Sequence, residues 1–195
     1  MLSPYRWHLP VWQQLWQQPD RLPHALLLHG MGGIGKRQFA SALAARLLCM
    51  TPTAEGFACG ACASCHWLEQ GSHPDFYWLA PESGEEAEAE GSKPQKRKSA
   101  WITVDQVREL VQRTSLSKHQ GGWRVVVVDT AEQLNLNAAN ALLKTLEEPS
   151  QQTLFLLLSS RLNRVMPTIR SRCLKLALPS PDSAMAREWL DGQGV

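Results

Sequence analysis

A glycine-rich run at residues 30–36, Gly-Met-Gly-Gly-Ile-Gly-Lys, has the residue types and spacing of a loop that binds phosphate. Glycines let successive backbone N–H groups turn toward phosphate oxygens, and the terminal lysine reaches the outer phosphates of a nucleotide. A helix that begins here adds the positive end of its dipole. The run predicts a nucleotide-binding loop rather than a glycine-rich turn without a ligand, with contacts from Gly30, Gly33, Gly35 and Lys36.

The residues that should complete an ATPase site depart from the usual pattern. Such a loop continues with Ser or Thr, whose hydroxyl binds Mg²⁺, but this chain has Arg37, which lacks an acceptor oxygen and repels the metal. An apolar run at 125–128 does end in a carboxylate, Asp129, that could orient Mg²⁺. The next residue is Thr130 instead of the Glu that activates water, and we do not expect Glu132 to replace it. We therefore predict a site that hydrolyses no ATP, and binding of ATP or ADP is left open.

Four of the five cysteines follow a metal-site spacing, C-x9-C-x2-C-x2-C. Two successive C-x2-C steps bring three thiolates around one ion, and the first cysteine completes a tetrahedron. In a cytosolic protein this spacing favours a metal over disulfides, and an iron–sulfur cluster of the bacterial ferredoxin type needs a different fourth spacing. Four protein ligands leave no open position, so we predict a structural Zn²⁺ site made by Cys49, Cys59, Cys62 and Cys65.

These residues require a scaffold in which strands and helices alternate. Short apolar runs predict five strands, at 24–29, 74–79, 124–129, 153–158 and 174–178. Helical patterns lie between them, including one with a capping-box start at Thr103 and another over 137–146. The spacing of Trp7, Trp12 and Trp16 predicts an amphipathic helix packed on the core. The alternation indicates an α/β fold with a parallel sheet covered by helices on both faces.

Residues 81–100 differ in composition from the rest of the chain. An acidic block at 85–90 precedes a basic block at 93–98, and large apolar residues are missing. Such a segment cannot bury enough surface to fold by itself, so we predict a mobile surface loop. The alternative is a charged docking segment.

The overall charge and hydropathy exclude several classes of protein. Twenty Lys+Arg against 18 Asp+Glu give a net charge of +2, which supports a free-standing zinc-dependent nucleic-acid-binding module only weakly. No apolar run approaches the roughly 18–20 residues of a membrane span, and the N-terminus lacks the apolar region of a secretory signal. We therefore expect a cytoplasmic protein that contacts no membrane.

Several motifs occur in an order that resembles one known family: His24-Ala-Leu-Leu-Leu, the 30–36 loop, the four cysteines, His73-Pro-Asp75, Asn140-Ala-Leu-Leu-Lys-Thr-Leu-Glu-Glu-Pro149 and Ser171-Arg-Cys173. They resemble the AAA+ clamp-loader subunits of bacterial DNA polymerase III over nearly the whole chain. The resemblance implies an AAA+ P-loop (RecA-like) core at 1–178 with an inserted zinc module at 49–65. It also implies that 179–195 begin a lid domain, which the chain truncates.

The resemblance also implies roles and partners. In this family the Ser-Arg-Cys arginine contacts ATP on the neighbouring subunit, which implies an arginine finger in trans for Arg172; the alternative is an ion pair within its own fold. Because it has Arg37 and Thr130, the chain resembles the delta prime members of the family rather than the ATP-hydrolysing tau/gamma members. The alternative function is that of an active ATP-hydrolysing motor. The implied partners are tau/gamma and delta subunits, and through them the sliding clamp and primer-template DNA, in an assembly with DNA-directed DNA polymerase activity.

Overall fold

The protein is described by a computed structural model that covers residues 3–17, 22–82, 100–115 and 122–193. Its strands are β1 Ala25–His29, β2 Phe76–Leu79, β3 Arg124–Asp129, β4 Thr153–Ser159 and β5 Leu174–Ala177. They form one sheet in the order β2-β3-β4-β1-β5, with parallel pairing at every neighbour. The parallel sheet predicted from the sequence is confirmed.

Helices connect and cover these strands in the described part of the chain. They are α1 Leu9–Trp16, α2 Lys36–Leu48, α3 Ala63–Glu69, α4 Val104–Ser115, α5 Leu136–Glu147, α6 Pro167–Arg170 and α7 Ser183–Gln193. The predicted capping box is present at the start of α4, where Thr103 N donates to Gln106 Oε1 at 2.9 Å and Gln106 N donates to Thr103 Oγ1 at 3.4 Å. No helix among these described residues has the length and hydropathy needed to cross a bilayer.

Two apolar clusters bury the two faces of the sheet. On one face, Trp12 of α1 and Phe39 of α2 pack with alternate residues of β3 and β4. On the other face, Val107 of α4 and Leu142 of α5 pack with the intervening strand residues. Every residue of β3 and β4 is consequently buried, as expected for a near-continuous apolar strand in the middle of a parallel sheet.

The carboxyl ends of three adjacent strands bring the predicted nucleotide-site residues together. The last residue of β3, Asp129, pairs with Leu158 of β4, and the last residue of β1, His29, pairs with Ser159 of β4. The 30–36 loop follows β1 directly. Because the strands are parallel, the loop and the carboxylate reach the same edge of the sheet although they are far apart in sequence.

The cysteine module is inserted between α2 and β2, with α3 as its helix. Cys49 and Cys65 pack with Ala45 and Ala58 in a small cluster separate from the two main ones. Most of the predicted surface loop, residues 83–99, lies outside the described residues. The division between a core ending at 178 and a lid beginning at 179 stays a prediction.

Candidate nucleotide site, metal centre and arginine

The 30–36 loop has a backbone conformation that depends on its glycines. Gly33 and Gly35 have φ angles of 81° and 96°, in the left-handed region that other residues rarely adopt. Gly35 is the N-terminal cap of α2, and a Cβ atom at this position would overlap the ring of Tyr5. The local sequence therefore sets the shape of the loop, and α2 begins at the lysine that follows.

Lys36 is buried, and its ammonium group binds the loop from within. Nζ donates to the carbonyl oxygen of Gly30 at 3.1 Å and to that of Met31 at 2.6 Å. Burial lowers the pKa of Lys36, and the nearby Glu132 and Asp129 carboxylates oppose this effect. Two of the three ammonium donors are thus engaged with the loop's own carbonyl groups.

Arg37 forms an ion pair with the carboxylate that would orient Mg²⁺. Its Nε donates to Asp129 Oδ2 at 2.5 Å. The Asp129 side chain is 4% exposed, whereas that of Arg37 is 74% exposed, so the guanidinium reaches the carboxylate from the solvent side. The positive charge that a metal ion would supply beside Asp129 is provided here by the protein itself.

A cavity of about 350 Å³ joins these groups, lined by Gly33, Gly35, Lys36, Arg37, Asp129, Thr130, Leu158 and Ser160. The Thr130 hydroxyl donates to Gln133 Oε1. Glu132 Oε1 accepts from the backbone N–H of Ser160 at 3.0 Å, which fixes the residue after β4. The structure thus brings Gly33, Gly35, Lys36 and Asp129 to one cavity, whereas Gly30 does not line it and accepts a hydrogen bond from Lys36. It uses one oxygen of Glu132 for a structural contact.

Aromatic residues before the first strand contact the loop, a role that the sequence analysis did not predict. Trp7 Nε1 donates to the carbonyl oxygen of Ile34 at 2.9 Å, and its ring stacks on Tyr5 with 4.6 Å between centroids. His8 is fully buried against Phe39, and this burial lowers its pKa. No local motif marks these contacts, because they depend on how the N-terminal segment crosses the loop.

The predicted N-terminal helix is shorter than the tryptophan spacing indicates. Trp7 lies in a short 3-10 turn, Arg6–His8, and α1 begins at Leu9. Trp12 is buried in the core as expected, with its ring stacked on Phe57 at 5.6 Å between centroids. The sequence therefore predicted the packing of the helix but not its start, and Trp7 serves the loop instead.

The four predicted cysteines form a cluster with the dimensions of a tetrahedral metal site. Their Sγ atoms all lie within 4.8 Å of one another. The Cys49–Cys62 and Cys59–Cys65 sulfurs are 3.9 Å apart, and those of Cys62 and Cys65 are 3.5 Å apart. A tetrahedron with Zn–S bonds of about 2.3 Å has edges of about 3.8 Å. The donor set and its spacing therefore fit a four-thiolate metal ion.

Hydrogen bonds to Cys59 favour the thiolate form of this residue. The Thr51 hydroxyl donates to Cys59 Sγ at 3.4 Å, and the backbone N–H groups of Ala61 and Cys62 also donate to this sulfur at 3.4 Å. Together, with the Thr51 contact foremost, they lower the pKa of the Cys59 thiol to about 5. Burial acts oppositely on Cys65 and raises its pKa to about 12. A bound cation would stabilise all four sulfurs as thiolates.

The His73-Pro-Asp75 motif holds the cysteine module to the sheet. Ser64 Oγ donates to the carbonyl oxygen of Leu48 at 2.6 Å and lies 2.9 Å from His73 Nε2. The backbone N–H of Asp75 donates to His73 Nδ1 at 3.1 Å, so the proton of the neutral ring is on Nε2 and points at Ser64. Because Leu48 and Ser64 adjoin Cys49 and Cys65 in sequence, this chain of bonds fixes both ends of the metal cluster.

Arg172 lies between α6 and β5 and does not line the cavity beside Lys36. Its Nε donates to Glu147 Oε1 at 2.6 Å, and Nη2 pairs with the same oxygen. Nη1 donates to the carbonyl oxygen of Thr168 at 2.9 Å and to Ser171 Oγ at 3.4 Å. The internal ion pair that the sequence left as an alternative is therefore present, and a role on a neighbouring subunit stays a prediction.

Comparison with known proteins places this architecture in one family. A family model described as DNA polymerase III, delta subunit, matches residues 9–182. The chain is 46% identical over 190 residues to the DNA polymerase III subunit delta' of Pseudomonas aeruginosa, covering 97% of this chain and 53% of that protein. It is 37% identical over 198 residues to the subunit delta' of Haemophilus influenzae, covering 100% of this chain and 55% of that protein.

A solved structure supports the fold. The crystal structure of a DNA polymerase III gamma subunit-related protein from Thermotoga maritima has a TM-score of 0.61 and 21% identity, and the match covers 88% of this chain and 47% of that chain. The chain spans about half the length of the curated relatives that it matches. The matched motifs, fold and sequence identity agree, and the chain belongs to the family of DNA polymerase III delta' subunits.

Proposed function

We propose that this chain is the AAA+ core of a clamp-loader subunit that hydrolyses no ATP and completes the nucleotide site of a neighbouring subunit. The main observation in favour of an inactive site is the Arg37–Asp129 ion pair, because it engages the carboxylate that would position the metal. Thr130 adds the second loss, since it has no basic group to activate water. Gly30, Gly33, Gly35, Lys36 and Asp129 then form a degenerate nucleotide site with a structural role.

The proposed partners are the tau/gamma and delta subunits, with which the protein loads the sliding clamp onto primer-template DNA in the cytoplasm. Membership in the delta' family supports this assignment. The proposed metal is a structural Zn²⁺ ion bound by the four clustered thiolates, which would cross-link the segment between α2 and β2. None of the five cysteines forms a disulfide in the structure, so all four clustered sulfurs are available as ligands.

We propose that Arg172 of this chain assists ATP hydrolysis at the site of the neighbouring subunit. A guanidinium is permanently charged and offers two parallel N–H donors to a γ-phosphate as charge shifts in the transition state. Arg172 is well placed for exchange with an external ligand, since its side chain is 34% exposed. It does not line the cavity of its own loop, which supports a contact with a nucleotide bound to another chain.

The test is reconstitution of the full-length subunit with its partner subunits, followed by ATPase and clamp-loading assays with clamp and primed DNA. Arg172→Ala should leave ring assembly intact by gel filtration and lower ATP turnover. Trans arginines contribute about 10³–10⁵-fold at the site they serve, and the loss in the whole assembly should be smaller because other sites keep their own arginines. Arg172→Lys should rescue little, because an ammonium group lacks the planar fork. Wild-type turnover by an intact Arg172→Ala complex would exclude the finger role.

A further inference from the structure

We infer that Glu147 is an internal counterion that occupies the phosphate-binding edge of Arg172 and must release it before the arginine engages a neighbour's nucleotide. This inference rests on the proposed role of Arg172 in trans. Glu147 would compete with the neighbour's γ-phosphate for Arg172 and so control how readily the arginine binds the nucleotide. It would take no part in catalysis itself.

The geometry shows which edge of the guanidinium is taken. Nε and Nη2 present the pair of parallel N–H groups that best matches a carboxylate or a phosphate. Both of these nitrogens pair with Glu147 Oε1. A γ-phosphate that binds Arg172 through this edge therefore competes directly with Glu147 for the same two donors.

The opposite side of the guanidinium is held independently. Nη1 donates to the carbonyl oxygen of Thr168 and to Ser171 Oγ, at 2.9 and 3.4 Å. Both partners belong to the α6 segment that carries Arg172. The side chain can therefore change its partner at the Nε/Nη2 edge while the Nη1 contacts keep it extended from α6.

The location of Glu147 suits an exchangeable partner. It is the last residue of α5, where the negative end of the helix dipole disfavours a carboxylate. The side chains of Glu147 and Arg172 are 48% and 34% exposed, so water weakens their attraction. A nucleotide triphosphate carries more negative charge than one carboxylate and can displace it.

The expected effect follows from removing the competitor. In the reconstituted loader with full-length subunits, Glu147→Gln should lower the ATP concentration that gives half-maximal ATPase by about 1.4- to 5-fold, the equivalent of about 0.2–1 kcal/mol for an exposed ion pair. The maximal turnover should not change, because the arginine makes the same transition-state contacts once it is delivered. A lower ATP concentration at half-maximal ATPase with an unchanged maximal rate distinguishes this role from a structural one.

The chain offers a matched control in the adjacent Glu148, which is exposed and makes none of the hydrogen bonds to Arg172. Glu148→Gln removes the same charge and should leave half-saturation at the wild-type value. The effect of Glu147→Gln should also vanish in an Arg172→Ala background, as a double-mutant cycle requires for a direct pair.

The outcomes distinguish this inference from the proposed function. If Arg172→Ala lowers turnover but Glu147→Gln leaves half-saturation unchanged, lowers the maximal rate or disrupts assembly, the counterion role is wrong and the finger role stands. If an intact Arg172→Ala complex has wild-type turnover, the proposed function itself is wrong and the inference fails with it. The inference is supported if Glu147→Gln lowers the ATP concentration at half-maximal ATPase. Glu148→Gln and the Glu147→Gln change in the Arg172→Ala background should then leave this concentration unchanged.

Discussion

Arg37 Nε lies 2.5 Å from Asp129 Oδ2, so the residue that replaces the metal-binding hydroxyl also occupies the carboxylate that would orient the metal. One residue, Arg37, thus stands at the position of the expected hydroxyl and pairs with the carboxylate of the predicted metal site. The guanidinium also balances the charge of this nearly buried carboxylate. The loop itself has the shape that its glycines allow, with positive φ angles at Gly33 and Gly35.

The first prediction is that the protein alone has no Mg²⁺-dependent ATPase activity above background. Arg37→Ser would restore a hydroxyl and release Asp129, and Thr130→Glu would restore a base. Neither variant alone should recover turnover, because metal placement and water activation are both required. Phosphate release measured for the wild type and both variants tests this. Wild-type hydrolysis that co-purifies with the protein and disappears in Lys36→Ala would contradict it.

The second prediction is one zinc ion per chain, found by elemental analysis of protein purified without added metal. Cys62→Ser should remove the metal and lower the free energy of unfolding by at least about 3 kcal/mol, because metal binding is part of the folding free energy of such a site. Cys173→Ser is the matched control: Cys173 is also a free thiol but lies outside the cluster, so this variant should retain zinc. Iron with a visible charge-transfer band, or protein without metal, is the contrary result.

The third prediction concerns the pH dependence of stability. Burial lowers the pKa of His8 below its ordinary value of 6.5, so at lower pH the unfolded chain binds a proton that the folded chain excludes. The contribution of His8 to stability is therefore complete above about pH 6.5 and is lost as the pH falls toward the folded-state pKa.

Denaturant unfolding at pH 7.5, 6.5 and 5.5 measures this effect. Replacing the buried imidazole in His8→Gln should reduce the loss of unfolding free energy between pH 7.5 and 5.5. His24→Gln, a substitution at an exposed histidine before β1, serves as the control and should keep the wild-type dependence. Equal pH slopes for the wild type and His8→Gln would show that His8 does not titrate as inferred.

The sequence by itself determined the features that depend on local pattern. Apolar runs alternating with helical periodicity were enough for the parallel sheet, because a strand buried on both faces needs apolar residues at nearly every position. The four cysteines could be grouped because three of the ligands lie within seven residues, 59–65, and the chain has few ways to arrange them. The changes at Arg37 and Thr130 were readable because Arg37 directly follows the loop lysine and Thr130 directly follows the carboxylate that ends β3.

Tertiary structure alone decided which distant side chains meet. The Arg37–Asp129 pair joins residues 92 positions apart, Trp7 reaches a carbonyl 27 positions away, and Glu147 meets Arg172 across 25 positions. Each contact depends on strand order and on how helices cross the sheet, and neither leaves a signal in nearby residues. Charged and aromatic side chains have many allowed partners, so their types suggest chemistry, whereas the fold selects the one partner within hydrogen-bonding distance.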